Sequence, residues 1–122
     1  MQRLVVISWV ALVLLHLPPA IVLFAPSQMA GLYGEAPQGA VAVMLQHRAA
    51  LFLCLCIVGV AAVFQPAIRQ TAVVVFAISM MSFIVLYGLA GWQSGPLRTI
   101  AIADAVGLAP WSVVAISAFR SE

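Results

Sequence analysis

The sequence contains no lysine and no asparagine, and only 7% of its 122 residues are charged. A soluble domain carries about 25% charged and roughly 45–50% apolar residues; here the apolar share is 66%. A chain this short leaves much of its surface exposed on folding. Five arginines, three acidic residues and two histidines cannot cover it. A soluble globular domain and a disordered chain are thereby excluded. The net charge of +2 comes from scattered arginines rather than a basic patch, which excludes a nucleic-acid binder. The solvent for such a chain is lipid.

Cysteine is equally scarce. Cys54 and Cys56 lie two apart in an apolar run. On a helix they point about 200° apart and cannot bridge each other, so both read as buried apolar thiols. No zinc spacing, phosphate-binding loop or nucleophile elbow occurs, and no metal site is expected.

What is present is four apolar stretches, at about 4–24, 41–64, 71–89 and 97–119. Each approaches the ~20 residues needed to cross a ~30 Å hydrocarbon core. Lipid offers backbone groups no hydrogen-bond partner, so the stretches must be helices. The expected fold is an all-α integral membrane four-helix bundle, a single domain over 1–122. The first stretch follows Arg3 as a signal peptide would, but it runs on without a small-residue cleavage site and reads as a retained span. Pro18-Pro19 and Pro110 are expected to kink the first and fourth spans. Ala25–Ala40, rich in Pro and Gly, is expected to lie on the membrane surface or to fold partly back, with Met29 and Tyr33 at headgroup depth. Arg3, Arg69 and Arg120 fall on one side and Arg98 on the other, which favours cytoplasmic termini.

The informative residues are those that do not belong in lipid. Arg48 and Asp104 lie inside the second and fourth spans, where each costs about 2.5–3.5 kcal/mol on insertion scales. Counted along the spans from the cytoplasmic edge, Arg48 and Tyr87 lie roughly 24 Å up, Asp104 roughly 22 Å and His16 roughly 18 Å. Each span thus offers one polar group to a common layer in the outer half of the membrane. An Arg48–Asp104 pair is expected there, acting as a clasp between spans or flanking a ligand cavity; snorkelling of Arg48 is a third reading. His16 has a ready partner in the carbonyls that Pro18-Pro19 free one turn back; an axial haem role is the alternative, and His47, beside Arg48, is the other histidine of this layer. Tyr87 and Trp92 read as an outer aromatic belt, and Ser79, Met80, Met81 and Ser82 as helix packing. Gly59 and the small residues Ala101, Ala103, Ala105 and Gly107 permit close backbone approach, which makes the fourth span the expected centre of the bundle.

Leu32-Tyr33-Gly34, Gln46-His47-Arg48-Ala49-Ala50-Leu51-Phe52, Phe64-Gln65-Pro66-Ala67-Ile68-Arg69, Ser79-Met80-Met81-Ser82-Phe83 and Ala103-Asp104-Ala105-Val106-Gly107-Leu108 together resemble a group of small bacterial four-helix inner-membrane proteins, loosely DoxX-like. The most specific parts are the His47-Arg48 and Asp104-Ala-Val-Gly motifs. The resemblance implies a bacterial inner-membrane bundle, and DoxX itself is associated with a quinone-linked oxidoreductase as a membrane subunit; no catalytic residue carries over. The functional expectation is an accessory or lipophile-binding protein with a buried Arg48–Asp104 pair near the outer face. The alternative is a membrane enzyme, an isomerase or a quinone- or haem-linked subunit, acting on a small lipophilic substrate. Candidate site residues are His16, His47, Arg48, Tyr87 and Asp104, and the expected partners are membrane lipid and a larger complex or a second copy of the chain.

Overall fold

Each apolar stretch forms a helix, as lipid solvation requires. A computed structural model describes residues 2–120; Met1, Ser121 and Glu122 lie outside the described residues. The elements are α1 (Gln2–Ile21), a 3₁₀ turn (Pro26–Gln28), α2 (Met29–Tyr33), α3 (Gly39–Phe64), a second 3₁₀ turn (Pro66–Ile68), α4 (Arg69–Leu89) and α5 (Pro96–Phe119). No strand occurs among the described residues. α1, α3, α5 and α4 with its preceding turn are each long and apolar enough to cross a membrane, and the protein is a multi-pass membrane protein of all-α architecture.

Boundaries differ from the sequence reading mainly at the end of the first span. α1 stops at Ile21, and the amides of Leu23, Phe24 and Ala25 turn back onto the carbonyls of Ala20 and Ile21. Ala25 precedes Pro26 and takes φ −130° and ψ 73°, outside the helical region, because the proline ring disfavours helical geometry in the residue before it. At the other end of the bundle Arg69 closes α3. Its Nε donates to the Ala62 carbonyl at 2.9 Å and a terminal nitrogen donates to the Val63 carbonyl at 3.2 Å. These are carbonyls of the last turn of α3, which have no partner within the helix, and a cation is well placed beside them.

α1 is the most enclosed helix and α5 the least: 33% of the α1 span is buried against 17% of α5. This corrects the expectation that the fourth span forms the centre. α5 does carry small residues, but α1 inserts the larger side chains. Trp9 meets Phe76 of α4 edge-on with ring centroids 5.9 Å apart, and Leu12, Val73, Met80 and Val114 complete the core. Trp111 of α5 donates its indole N–H to the Val73 carbonyl of α4 at 2.9 Å. Cys56 lies against the Val13 carbonyl at 3.7 Å, while Cys54, expected buried, is exposed.

Two glycines set the spacing. A Cβ on Gly59 would lie 2.6 Å from Val13 and 3.1 Å from Phe76; one on Gly107 would lie 2.7 Å from Leu15 and 3.0 Å from Met80. Both allow the backbones of α3 and α5 to close on α1, which is how helices associate where lipid removes the hydrophobic drive between them.

The segment between α1 and α3 is not a simple surface strap. Met29 is only 3% exposed and packs with Val22 and Ala49 in a second core. The short α2 thus turns Met29 inward, toward α3. Gly34 ends α2 at φ +85° with its Cα side against Pro96, so α2 is docked on the start of α5.

Gly59→Ala is expected to lower stability by about 1–3 kcal/mol through overpacking, read as a lower unfolding temperature by circular dichroism in detergent. Gly31→Ala, with open space around its Cβ, is expected to leave that temperature unchanged or raise it.

Candidate functional site: a cleft between α3 and α4

α3 and α4 follow each other in sequence, joined by the Pro66–Ile68 turn, yet they diverge away from it. A cleft of about 470 Å³ opens between them at the far end. The wall from α3 is Arg48, Leu51, Phe52 and Leu55, spaced at three and four residues and therefore on one face. The wall from α4 includes Ser79, Ser82, Phe83, Leu86 and Tyr87, again one helical face. Leu51 and Leu86 are exposed, so the cleft opens sideways toward lipid.

Arg48 is the one charged residue of this lining. It lies roughly 13 Å along α3 from Gly39 at the helical rise. Its guanidinium carbon is 5.2 Å from the ring centroid of Phe52, 5.2 Å from that of Phe83 and 5.9 Å from that of Tyr33. Three elements thus converge on one cation: Phe52 from its own helix, Phe83 from α4 and Tyr33 from α2. Each cation–π contact contributes roughly 0.5–2 kcal/mol depending on desolvation. Among the described residues no carboxylate and no hydrogen-bond acceptor touches the guanidinium.

The expected direct Arg48–Asp104 pair is thus not formed. Asp104 is half-buried on α5, and the Arg48 charge acts on it, but from beyond contact distance. Aromatic rings from three elements, rather than a carboxylate, surround the guanidinium. Tyr87, expected in a lipid-facing belt, is buried. Its ring stacks on Phe83 and meets Trp92 edge-on at 5.5 Å, and its hydroxyl donates to the Gln93 carbonyl. Trp92 is 64% exposed, as a belt residue would be. Its backbone has φ +54°, and its indole lies over Gly88, where a Cβ would be 2.9 Å away.

His16 is 1% exposed. Its Nδ1 lies 2.8 Å from the Leu12 carbonyl, one turn back in α1. This corrects the expected partner: Pro18 and Pro19 free the carbonyls of Leu14 and Leu15, not that of Leu12, by the i to i−4 pattern of the helix. The ring is packed against Phe76 at 4.9 Å and Phe52 at 5.7 Å. Its Nε2 is buried without a partner, as is the Trp9 indole nitrogen. His16 does not line the cleft, and Phe52 stands at both the imidazole and Arg48. An enclosed ring with Nε2 aimed into packed side chains does not fit an axial haem ligand. His47 is exposed and does not line the cleft.

Of the five candidates, then, the fold brings Arg48 and Tyr87 to one cleft, sets His16 behind it and Asp104 within electrostatic range, and leaves His47 outside. Sequence reasoning missed the cage. Phe52 was recoverable, since it lies four residues after Arg48 on the same face; Phe83 and Tyr33 carry no such signal, because their approach depends on how α4 and α2 pack. The Ser82 hydroxyl on the wall is engaged too, donating to the Ser79 carbonyl at 3.2 Å. The cleft thus offers a cation and apolar walls rather than an acid–base pair. No protein-family model matches the chain, and no curated protein or solved structure is similar to it. The chemistry of the cleft alone carries the functional reading.

His16→Phe is expected to keep the fold, because ring packing against Phe52 and Phe76 is retained and the unpartnered nitrogen is removed. His16→Ala is expected to cost about 3–5 kcal/mol, as other large-to-small core changes do. Thermal unfolding of both variants in detergent checks the contrast.

Proposed function

We propose that the protein binds a lipophile in the cleft between α3 and α4, with Arg48 fixing the polar end of the ligand. The observation that carries this reading is the state of Arg48. A guanidinium has five N–H donors and no acceptor, and among the described residues none of them meets a protein oxygen. Its aromatic surround stabilises the charge but leaves those donors unfilled. An arginine required only as a clasp would meet Asp104 directly. The cleft volume lies within the roughly 300–1,000 Å³ of ordinary ligand pockets, and its walls are mostly apolar. The lateral opening suits a ligand that arrives from the bilayer, and an accessory role beside a larger membrane complex, as the DoxX-like resemblance implies, is compatible with it.

Ser82→Trp, placed in the wall, is expected to fill the cleft. Native mass spectrometry after gentle detergent extraction should show a retained lipophile on the wild type and its loss from Ser82→Trp, with helical content unchanged. Leu14→Trp, on the exposed face of α1, serves as the control and should retain it. Equal retention by all three chains would overturn the reading.

We further place the chain in a bacterial inner membrane with both termini cytoplasmic. Arg3, Arg69 and Arg120 lie at one end of the bundle and Arg98 at the other, and the side richer in arginine faces the cytoplasm. A reporter active only in the periplasm, fused after Arg120, should be silent, and the same reporter inserted after Gln93 should be active.

A further inference from the structure

We propose that the ligand of the α3–α4 cleft is a single-chain amphiphile with a carboxylate head, a long-chain fatty acid, its carboxylate held by Arg48 and its chain laid along the two helices. This rests on the lipophile-binding reading above and adds the head chemistry and the number of chains.

The head follows from Arg48. A guanidinium presents paired parallel N–H groups that match the two oxygens of a carboxylate. Its central carbon lies 5.2–5.9 Å from the ring centroids of Phe52, Phe83 and Tyr33, and rings offer its N–H groups no oxygen. Among the described residues no protein oxygen takes them, which leaves them for an acceptor in the cleft. The charge balance favours a monoanion. Arg48 is the one charged residue of the lining, so the cleft offers a single positive charge. A dianionic phosphate monoester would leave excess negative charge in a low-dielectric site.

The chain follows from the shape. The wall residues run from Arg48 to Leu55 on α3 and from Ser79 to Tyr87 on α4, with Ala90 just past its end, roughly 10 Å and 12 Å along the helices. At about 30 Å³ per methylene, close to the volume of a water molecule in the liquid, the cleft of about 470 Å³ is filled by one long hydrocarbon chain. Arg48 and Tyr33 stand at the α2 end, and Leu55 and Ser79 lie deeper. The head therefore sits near the membrane interface and the chain points toward the bilayer centre, the orientation a free fatty acid already has in a leaflet.

The test uses the full chain in nanodiscs of zwitterionic phosphatidylcholine. Binding of isotope-labelled hexadecanoate is compared with that of hexadecan-1-ol, which has the same chain and no charge. Hexadecanoate is expected to bind at one per chain and at least tenfold more tightly than the alcohol. Arg48→Gln is expected to reduce acid binding to the level of the alcohol while alcohol binding stays as in the wild type, which also shows that the variant has kept its cleft. Ser82→Trp is expected to abolish both. Equal binding of acid and alcohol to the wild type, or undiminished acid binding to Arg48→Gln, overturns the carboxylate assignment while the lipophile-binding reading stands. Displacement of hexadecanoate by equimolar phosphatidylglycerol assigns the cleft to a diacyl lipid phosphate and also overturns it. Binding of neither probe, together with equal lipophile retention by wild type and Ser82→Trp, removes both readings.

Discussion

The close approach of α1 to α3 and α5 is the constraint on which the rest of the structure depends. In lipid the burial of apolar surface between helices gains little, since acyl chains solvate leucine as well as another leucine does. Association then rests on direct contact, and contact needs small residues at the crossing points. Gly59 and Gly107 supply them, one on each neighbour of α1. With α3 and α5 both held against α1, and α4 tied to α5 through the Trp111 to Val73 hydrogen bond, the remaining edge between α3 and α4 is left to splay. The cleft is the consequence of three well-made interfaces that leave the fourth incomplete.

That open edge explains where a cation can be tolerated. A guanidinium inside an apolar span needs compensation, and a carboxylate at contact distance is only one form of it. Here the compensation comes from three aromatic rings. The arrangement stabilises the charge without satisfying its directional donors. A fully paired Arg48–Asp104 clasp would join two helices and present no free chemistry; a caged cation at a lateral opening remains able to engage a ligand.

The same logic separates the two titratable groups nearest the site. Arg48 lines the cleft, while His16 is sealed behind Phe52 with one nitrogen bonded to its own helix. A single phenyl ring, that of Phe52, stands against both, yet one is open to lipid and the other is core. Depth along a span placed both in one layer; rotation of each helix about its axis decided which of them faces the opening.

Much of the architecture was legible in the residues. The shortage of charge, the four stretches of membrane-spanning length and the Pro and Gly punctuation determined an all-α, four-span chain, since lipid admits no other regular backbone. The residues that are costly in lipid also pointed to Arg48, Tyr87 and Asp104. What the sequence could not determine was which side of each helix turns inward. On α1 the outward residues Leu4, Ile7, Val10, Leu14, Leu17 and Ile21 repeat with the helical period and are as apolar as the inward Val5, Trp9 and Leu12. In water those two faces would differ in polarity and betray the fold; in lipid they need not. Only the tertiary structure, through the close contacts at Gly59 and Gly107 and the docking of α2, selected the inward faces. That selection placed three rings around Arg48, buried Met29 and Tyr87, and moved Asp104 out of direct contact.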